Sequence, residues 1–123
     1  MTAHRSLLGF VLALLLIPSA LAEPRIGVQI EISFLLGYVE GAPCSFYRNG
    51  SWHDSRAAQA HLREKYMYLV ARNMINTTDD FIDLVATESS LTGQPYQVKC
   101  ADGANVSSSR WLHNELLRYR TLQ

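Results

Sequence analysis

Four side chains stand at intervals that would gather them on one side of a helix: His61, Lys65, Tyr68 and Arg72, spaced by 4, 3 and 4 residues. On a helix such spacing makes a continuous stripe. Arg48, on a neighbouring strand, and Ser89, on the next helix, can point at the same region. Imidazole, ammonium, guanidinium and hydroxyl groups together suit an anion or a carboxylate-bearing ligand, or a contact patch for another protein. The other reading is structural. Lys65 and Arg72 would carry their stems past apolar neighbours, His61 would bond a backbone carbonyl, and Ser89 would bond back to Val85.

Covalent and metal chemistry find less support. The chain has no Gly-x-Ser-x-Gly, Cys-x-x-Cys or His-Glu-x-x-His and no phosphate-binding glycine loop. A Ser-His-acid set could still be drawn from Ser89 or Ser90, His61 or His113, and an acid, because triads are not local in sequence. That makes a hydrolase using Ser89 or Ser90 with His61 the second reading. A non-catalytic binding or structural module is the first. No cofactor is expected, and the two cysteines make only half of a zinc site, with no His-x3–5-His beside them.

Cys44 and Cys100 are the only cysteines. The start of the chain says where they would meet oxidant: His4-Arg5, an apolar run from Leu7 to Ile17, then Ala20-Leu21-Ala22. This pattern predicts a secretory signal peptide over residues 1–22, cleaved after Ala22, and one exported domain over 23–123. The run is about 11 residues where a bilayer span needs roughly 20, so no membrane span is expected after cleavage. In an oxidising compartment the two cysteines predict a structural disulfide, and closing a loop of that length stabilises the fold by about 4 kcal/mol. Removing Arg5 from eleven Lys and Arg leaves ten, against eleven Asp and Glu. Near-neutrality without a basic block argues against a nucleic-acid partner. The partners expected are another envelope protein or a small anionic ligand. Asn49-Gly50-Ser51, Asn76-Thr77-Thr78 and Asn105-Val106-Ser107 fit the glycosylation acceptor pattern, which would make a secreted glycoprotein of a eukaryotic chain. A turn and two helix caps explain the same residues.

The elements that must position these groups begin with Cys44 to His53. Asn49-Gly50 tolerates the positive φ angles of a type I′ turn, so Arg48 should face Ser51, Tyr47 face Trp52 and Phe46 face His53. A strand from Tyr96 to Cys100 can lie antiparallel to the first, with Cys44 opposite Cys100, Phe46 opposite Val98 and Arg48 opposite Tyr96. Ile26, Val28, Ile30, Ile32 and Phe34 alternate as a strand would, yet Ile32, Leu35, Leu36 and Val39 mark a helical face. The reading taken is helix from about Val28 to Gly41. Asp54 or Ser55 caps a helix running to about Ile75, with Ala58, Leu62, Tyr66, Leu69, Val70 and Asn73 on one face. Thr77 and Asp80 form a capping box for a helix burying Phe81, Ile82, Val85 and Ser89 and ending at Ser90 to Gly93. Ser107 to Ser109 cap a last helix whose face is Trp111, Leu112, Leu116, Tyr119 and Leu122. The fold class is therefore α+β: four helices around a small antiparallel sheet, a hairpin plus one C-terminal strand, with one disulfide.

Cys44-x-Phe46-x-Arg48-Asn49-Gly50, His61-Leu62 with Lys65, Phe81-Ile82, Ser89-Ser90, Gly93-x-Pro95-Tyr96-x-Val98-x-Cys100 and Trp111-Leu112 resemble a YfeK-like family of small exported bacterial proteins of unknown function. The resemblance covers about Ile32 to Arg120. It implies a periplasmic, disulfide-bonded helical domain and carries no catalytic residues with it.

Overall fold

The apolar positions of the first helix decide its conformation. In the computed structural model, which describes residues 23–123, α1 runs Ile26–Gly41 and buries Ile32, Leu35, Leu36 and Val39. The alternating residues at its start do not form a strand: Ile26 and Ile30 stay exposed on the solvent side of the first turns. The signal peptide predicted over residues 1–22 lies outside the described residues.

β1 (Cys44–Arg48) and β2 (Ser51–His53) form the hairpin in the expected register, with Asn49 and Gly50 at φ 50° and 88°. The Tyr47 and Trp52 rings meet edge to face at 5.3 Å. α2 (Ser55–Val70) starts at Asp54, whose carboxylate accepts a hydrogen bond from the Ala57 amide at 2.8 Å. It ends earlier than its apolar pattern predicts. Asn73 takes φ 58°, and the Asn73 and Met74 amides bond back to the Val70 and Leu69 carbonyls, a Schellman closure. Asn73 thus leaves the helical face, and Ile75 is buried from the following loop.

α3 (Thr78–Val85) opens on the predicted capping box, Thr77 accepting from the Asp80 amide and Asp80 from the Thr77 amide. It too is shorter than expected. The Thr87 hydroxyl donates to the Ile82 carbonyl at 2.7 Å, and Ser89 falls beyond the helix rather than on its buried face. β3 (Gln97–Cys100) pairs antiparallel with β1, placing Cys44 opposite Cys100 and Phe46 opposite Val98. The ladder stops at Tyr47 and Gln97. Arg48 and Tyr96 do not pair, because the Tyr96 amide donates to Thr87 and its carbonyl accepts from Ser108.

A short strand that no periodicity announces, β4 (Val106–Ser107), adds to the far side of β3. The sheet is therefore four-stranded, in the order β2-β1-β3-β4. Ser107 closes this strand and caps α4 (Ser108–Thr121), accepting from the Arg110 amide at 3.2 Å. On α4, Leu112 and Leu116 are buried, Trp111 and Tyr119 pack partly buried, and Leu122 is exposed just past the helix end. Helices cover the sheet face that carries Phe46 and Val98, and the core joins these to Phe81, Ile82, Val85 and the α1 face.

The Cys44–Cys100 disulfide is formed, its Cα atoms 4.1 Å apart, as facing residues of an antiparallel pair allow. Among the described residues no helix is long and apolar enough to cross a membrane.

Candidate functional site

The expected stripe lines a groove of about 480 Å³, together with the hairpin tip and the loop between α3 and β3. α2 contributes His61, Glu64, Lys65 and Tyr68, β1 and its turn contribute Arg48 and Asn49, and the loop contributes Ser89, Ser90 and Leu91. Tyr96, buried at the entry to β3, forms the inner wall.

Local hydrogen bonds shape the loop before any ligand is considered. The buried Ser89, 3% exposed, accepts from the Leu91 and Thr92 amides through its hydroxyl, at 3.1 and 3.3 Å. Its own backbone amide and carbonyl bond Gln94 and Gly93. The Thr92 hydroxyl then donates to Asn49 Oδ1 at 2.8 Å, tying the loop to the hairpin tip across the groove. Ser89 is thus the knot of a turn, and its bonds run forward in the chain instead of back to Val85.

Tyr96 organises the charged groups. Lys65 Nζ donates to the Glu88 carbonyl at 2.8 Å and to the Tyr96 hydroxyl at 3.3 Å, and sits 5.1 Å from the centre of the Tyr96 ring. His61 Nε2 lies 3.2 Å from the same hydroxyl. An ammonium only donates, so the phenol accepts from Lys65; toward His61 it gives its own hydrogen or accepts from the ring N–H according to the imidazole tautomer. Burial, reinforced by Arg48, Lys65 and His53 against the opposing Glu64, holds the His61 imidazole below its usual value. Burial likewise lowers Lys65, against the pull of Glu88. Tyr96 is raised by burial, with Arg48 acting the other way.

Arg48 is the group left over. Among the described residues its guanidinium has no acidic partner within salt-bridge distance. Arg72 does not join the groove: it stacks on Tyr68, 3.6 Å from the ring centre, and donates to the Tyr68 carbonyl on its own helix. The structure thus brings together Arg48, His61, Lys65 and Ser89 and leaves Arg72 on the rim of α2. Sequence reasoning missed Tyr96 as a member of the set. Its place on the strand face shared with Val98 and Cys100, near Arg48, was the available signal.

Among the described residues no hydrogen bond joins His61 to Ser89 or Ser90. His61 shares the groove with Ser89 and Ser90, but its hydrogen bond goes to Tyr96. His113 lies on α4 between Asp79 and Asp83, at 3.5 and 3.3 Å. Among the described residues no group of three or more His, Cys, Asp or Glu side chains stands close enough to hold a metal ion.

Comparison with known proteins agrees with this architecture's sequence pattern. The chain is 39% identical over 87 residues to an uncharacterized protein, YfeK, of Salmonella typhimurium strain LT2, a match covering 70% of this chain and 71% of that one. No solved structure matches it. The model of a family of unknown function, DUF5329, matches residues 27–120, from the second residue of α1 to the next-to-last of α4. The chain belongs to that family.

Proposed function

We propose that this chain is an exported domain of the cell envelope that binds and does not catalyse, its groove receiving an anionic group. The observation that carries the reading is Arg48, a guanidinium without an acidic partner among the described residues, lining one groove with the half-buried Lys65. Two donor-rich cations in a concave, partly desolvated setting match a carboxylate better than a neutral ligand. The leader-like residues 1–22 and the disulfide support export to an oxidising compartment.

Catalysis is the weaker reading because the Ser89 hydroxyl is occupied by two backbone amides and His61 by Tyr96. A serine-reactive phosphonate should leave no stoichiometric adduct, and an adduct lost on Ser89→Ala or Ser90→Ala would reverse the choice. The direct test of binding is a nuclear magnetic resonance titration of the disulfide-intact protein with sodium acetate, against sodium chloride at equal ionic strength. Saturable shifts should gather on Arg48, His61, Lys65 and Tyr96 and vanish in the Arg48→Ala, Lys65→Ala double variant. Identical responses to the two salts would sink the anion site.

A further inference from the structure

We infer that the anion taken by this groove is the free C-terminal carboxylate of a peptide whose last residue is apolar, an inference that rests on the anion-binding reading above. The lining residues are graded by exposure. Tyr96 and Ser89 are buried and Lys65, Arg48 and His61 are half-buried, whereas Tyr68 is 56% and Leu91 90% exposed. Positive charge therefore lies inward, and the rim carries Tyr68 and Leu91 beside the exposed Glu64, Asn49 and Ser90, an order in which a terminal carboxylate and its neighbouring side chain would meet them.

A lone exposed leucine needs no explanation on a protein surface. Leu91 differs in how it is held. Its amide is fixed by the buried Ser89 hydroxyl, and the adjacent Thr92 is fixed to Asn49 on the opposite wall. A pre-ordered apolar contact costs less to use than one on a mobile loop.

The remaining lining separates a peptide from other carboxylates. Asn49 uses its carbonyl oxygen on Thr92, and its amide hydrogens meet no acceptor among the described residues. Ser90 beside it is exposed. A peptide carbonyl can accept from either; a hydrocarbon tail offers them nothing. Glu64, the acidic side chain in the lining, opposes a second carboxylate on the ligand, which favours an apolar over an acidic last residue. A volume near 480 Å³ lies in the range of small-ligand sites and suits one or two residues.

The test is calorimetric titration of the disulfide-intact protein with four probes: N-acetyl-Gly-Leu as the free acid, the same peptide as its amide, N-acetyl-Gly-Gly acid, and sodium acetate. The Leu acid should bind about tenfold tighter than its amide, which lacks the charge-assisted bonds. It should bind about fivefold tighter than the Gly acid, and Leu91→Ser should remove that second preference. Acetate binding without preference for the Leu acid over the Gly acid overturns this inference and leaves the anion site standing. Equal binding of acid and amide overturns the carboxylate assignment. If no probe binds, acetate included, both readings fall.

Discussion

Two ends of the molecule treat charge in opposite ways. At the end where α1, α3 and α4 meet, Arg120 forks onto Glu31 at 2.7 and 2.8 Å, Thr78 donates to the same carboxylate, and His113 stands between Asp79 and Asp83. Nearby on α4 the buried Glu115, 5% exposed, accepts from Arg118 through Nε and Nη2 of its guanidinium. In the groove beside the hairpin, Lys65 and His61 bond a phenol and a backbone carbonyl, and among the described residues Arg48 has no acidic partner within salt-bridge distance. Charges matched within the fold support the fold. Charges left unmatched in a concave site are available to something else.

The comparison depends on a frame common to both ends, so the largest effect should come from removing it. Replacing Cys44 and Cys100 together by serine should lower unfolding stability by about 2–5 kcal/mol, read by urea denaturation. The bond joins β1, which carries Arg48, to β3, which runs back to α4 through β4, and a change near zero would mean the two ends are held together without it.

The paired end should answer next, in stability alone. Arg120→Ala should cost about 1 kcal/mol, a modest figure because the pair is partly open to solvent. The Arg120 hydrogen bond, together with that from Thr78, holds the Glu31 carboxyl below the usual carboxylate range against the effect of burial. A folded-state value below the unfolded one means that this stabilisation is present above the unfolded value and is lost as pH falls through the folded one. Glu31→Gln should therefore flatten the acid limb of the stability curve. An unchanged limb would show that the fork adds nothing.

The unpaired end should give the mirror image. Arg48→Ala should stay within about 0.5 kcal/mol of the parent stability, as changes outside the buried core do, and Lys65→Ala, which loses its bonds to the Glu88 carbonyl and the Tyr96 hydroxyl, within about 1 kcal/mol. Each should weaken carboxylate binding about tenfold. A loss of stability with binding intact would place these cations among the structural ones and erase the difference between the two ends.

The smallest effect should be the pH response of the groove. His61 faces Arg48 on β1, His53 on β2, Glu64 and Lys65 on α2, and Tyr96 before β3. Its lowered value keeps it neutral at pH 7, so acidification through that value adds a third cation, and carboxylate affinity should rise roughly threefold. Stability should move the other way: the depressed folded value makes the His61 contribution full above its unfolded value and lost as pH falls. His61→Gln should abolish the rise in affinity, and a rise that survives it must come from another group.

Much of the fold was legible because its signals are local or are checked by a second local signal. Asp54, Thr77 and Ser107 cap within three residues of themselves, Asn49-Gly50 sets the hairpin, and the β1–β3 register matches two cysteines and two apolar residues at once. The face of α1 was readable for the same reason, since four buried residues at helical spacing outweigh an alternating start.

Tertiary structure decided what depends on atoms far apart in sequence. Apolar pattern alone carries α2 to Ile75, but the Schellman closure at Asn73 turns the chain so that Ile75 fills the core from a loop. β4 is two residues long, below any period, and exists because β3 offers it a free edge. Helical spacing alone puts Ser89 on the face of α3, and only the returning strand, with the Thr87 carbonyl bonded to the Tyr96 amide, makes it the centre of a turn. The same holds for the groove. Helical spacing put His61 and Lys65 on one side of α2, but it could not show that Arg72 would fold onto Tyr68, or that Tyr96, 31 residues beyond Lys65, would supply the hydroxyl both share. Spacing within an element fixes direction about one axis; which side chains meet across elements is set by how those elements pack.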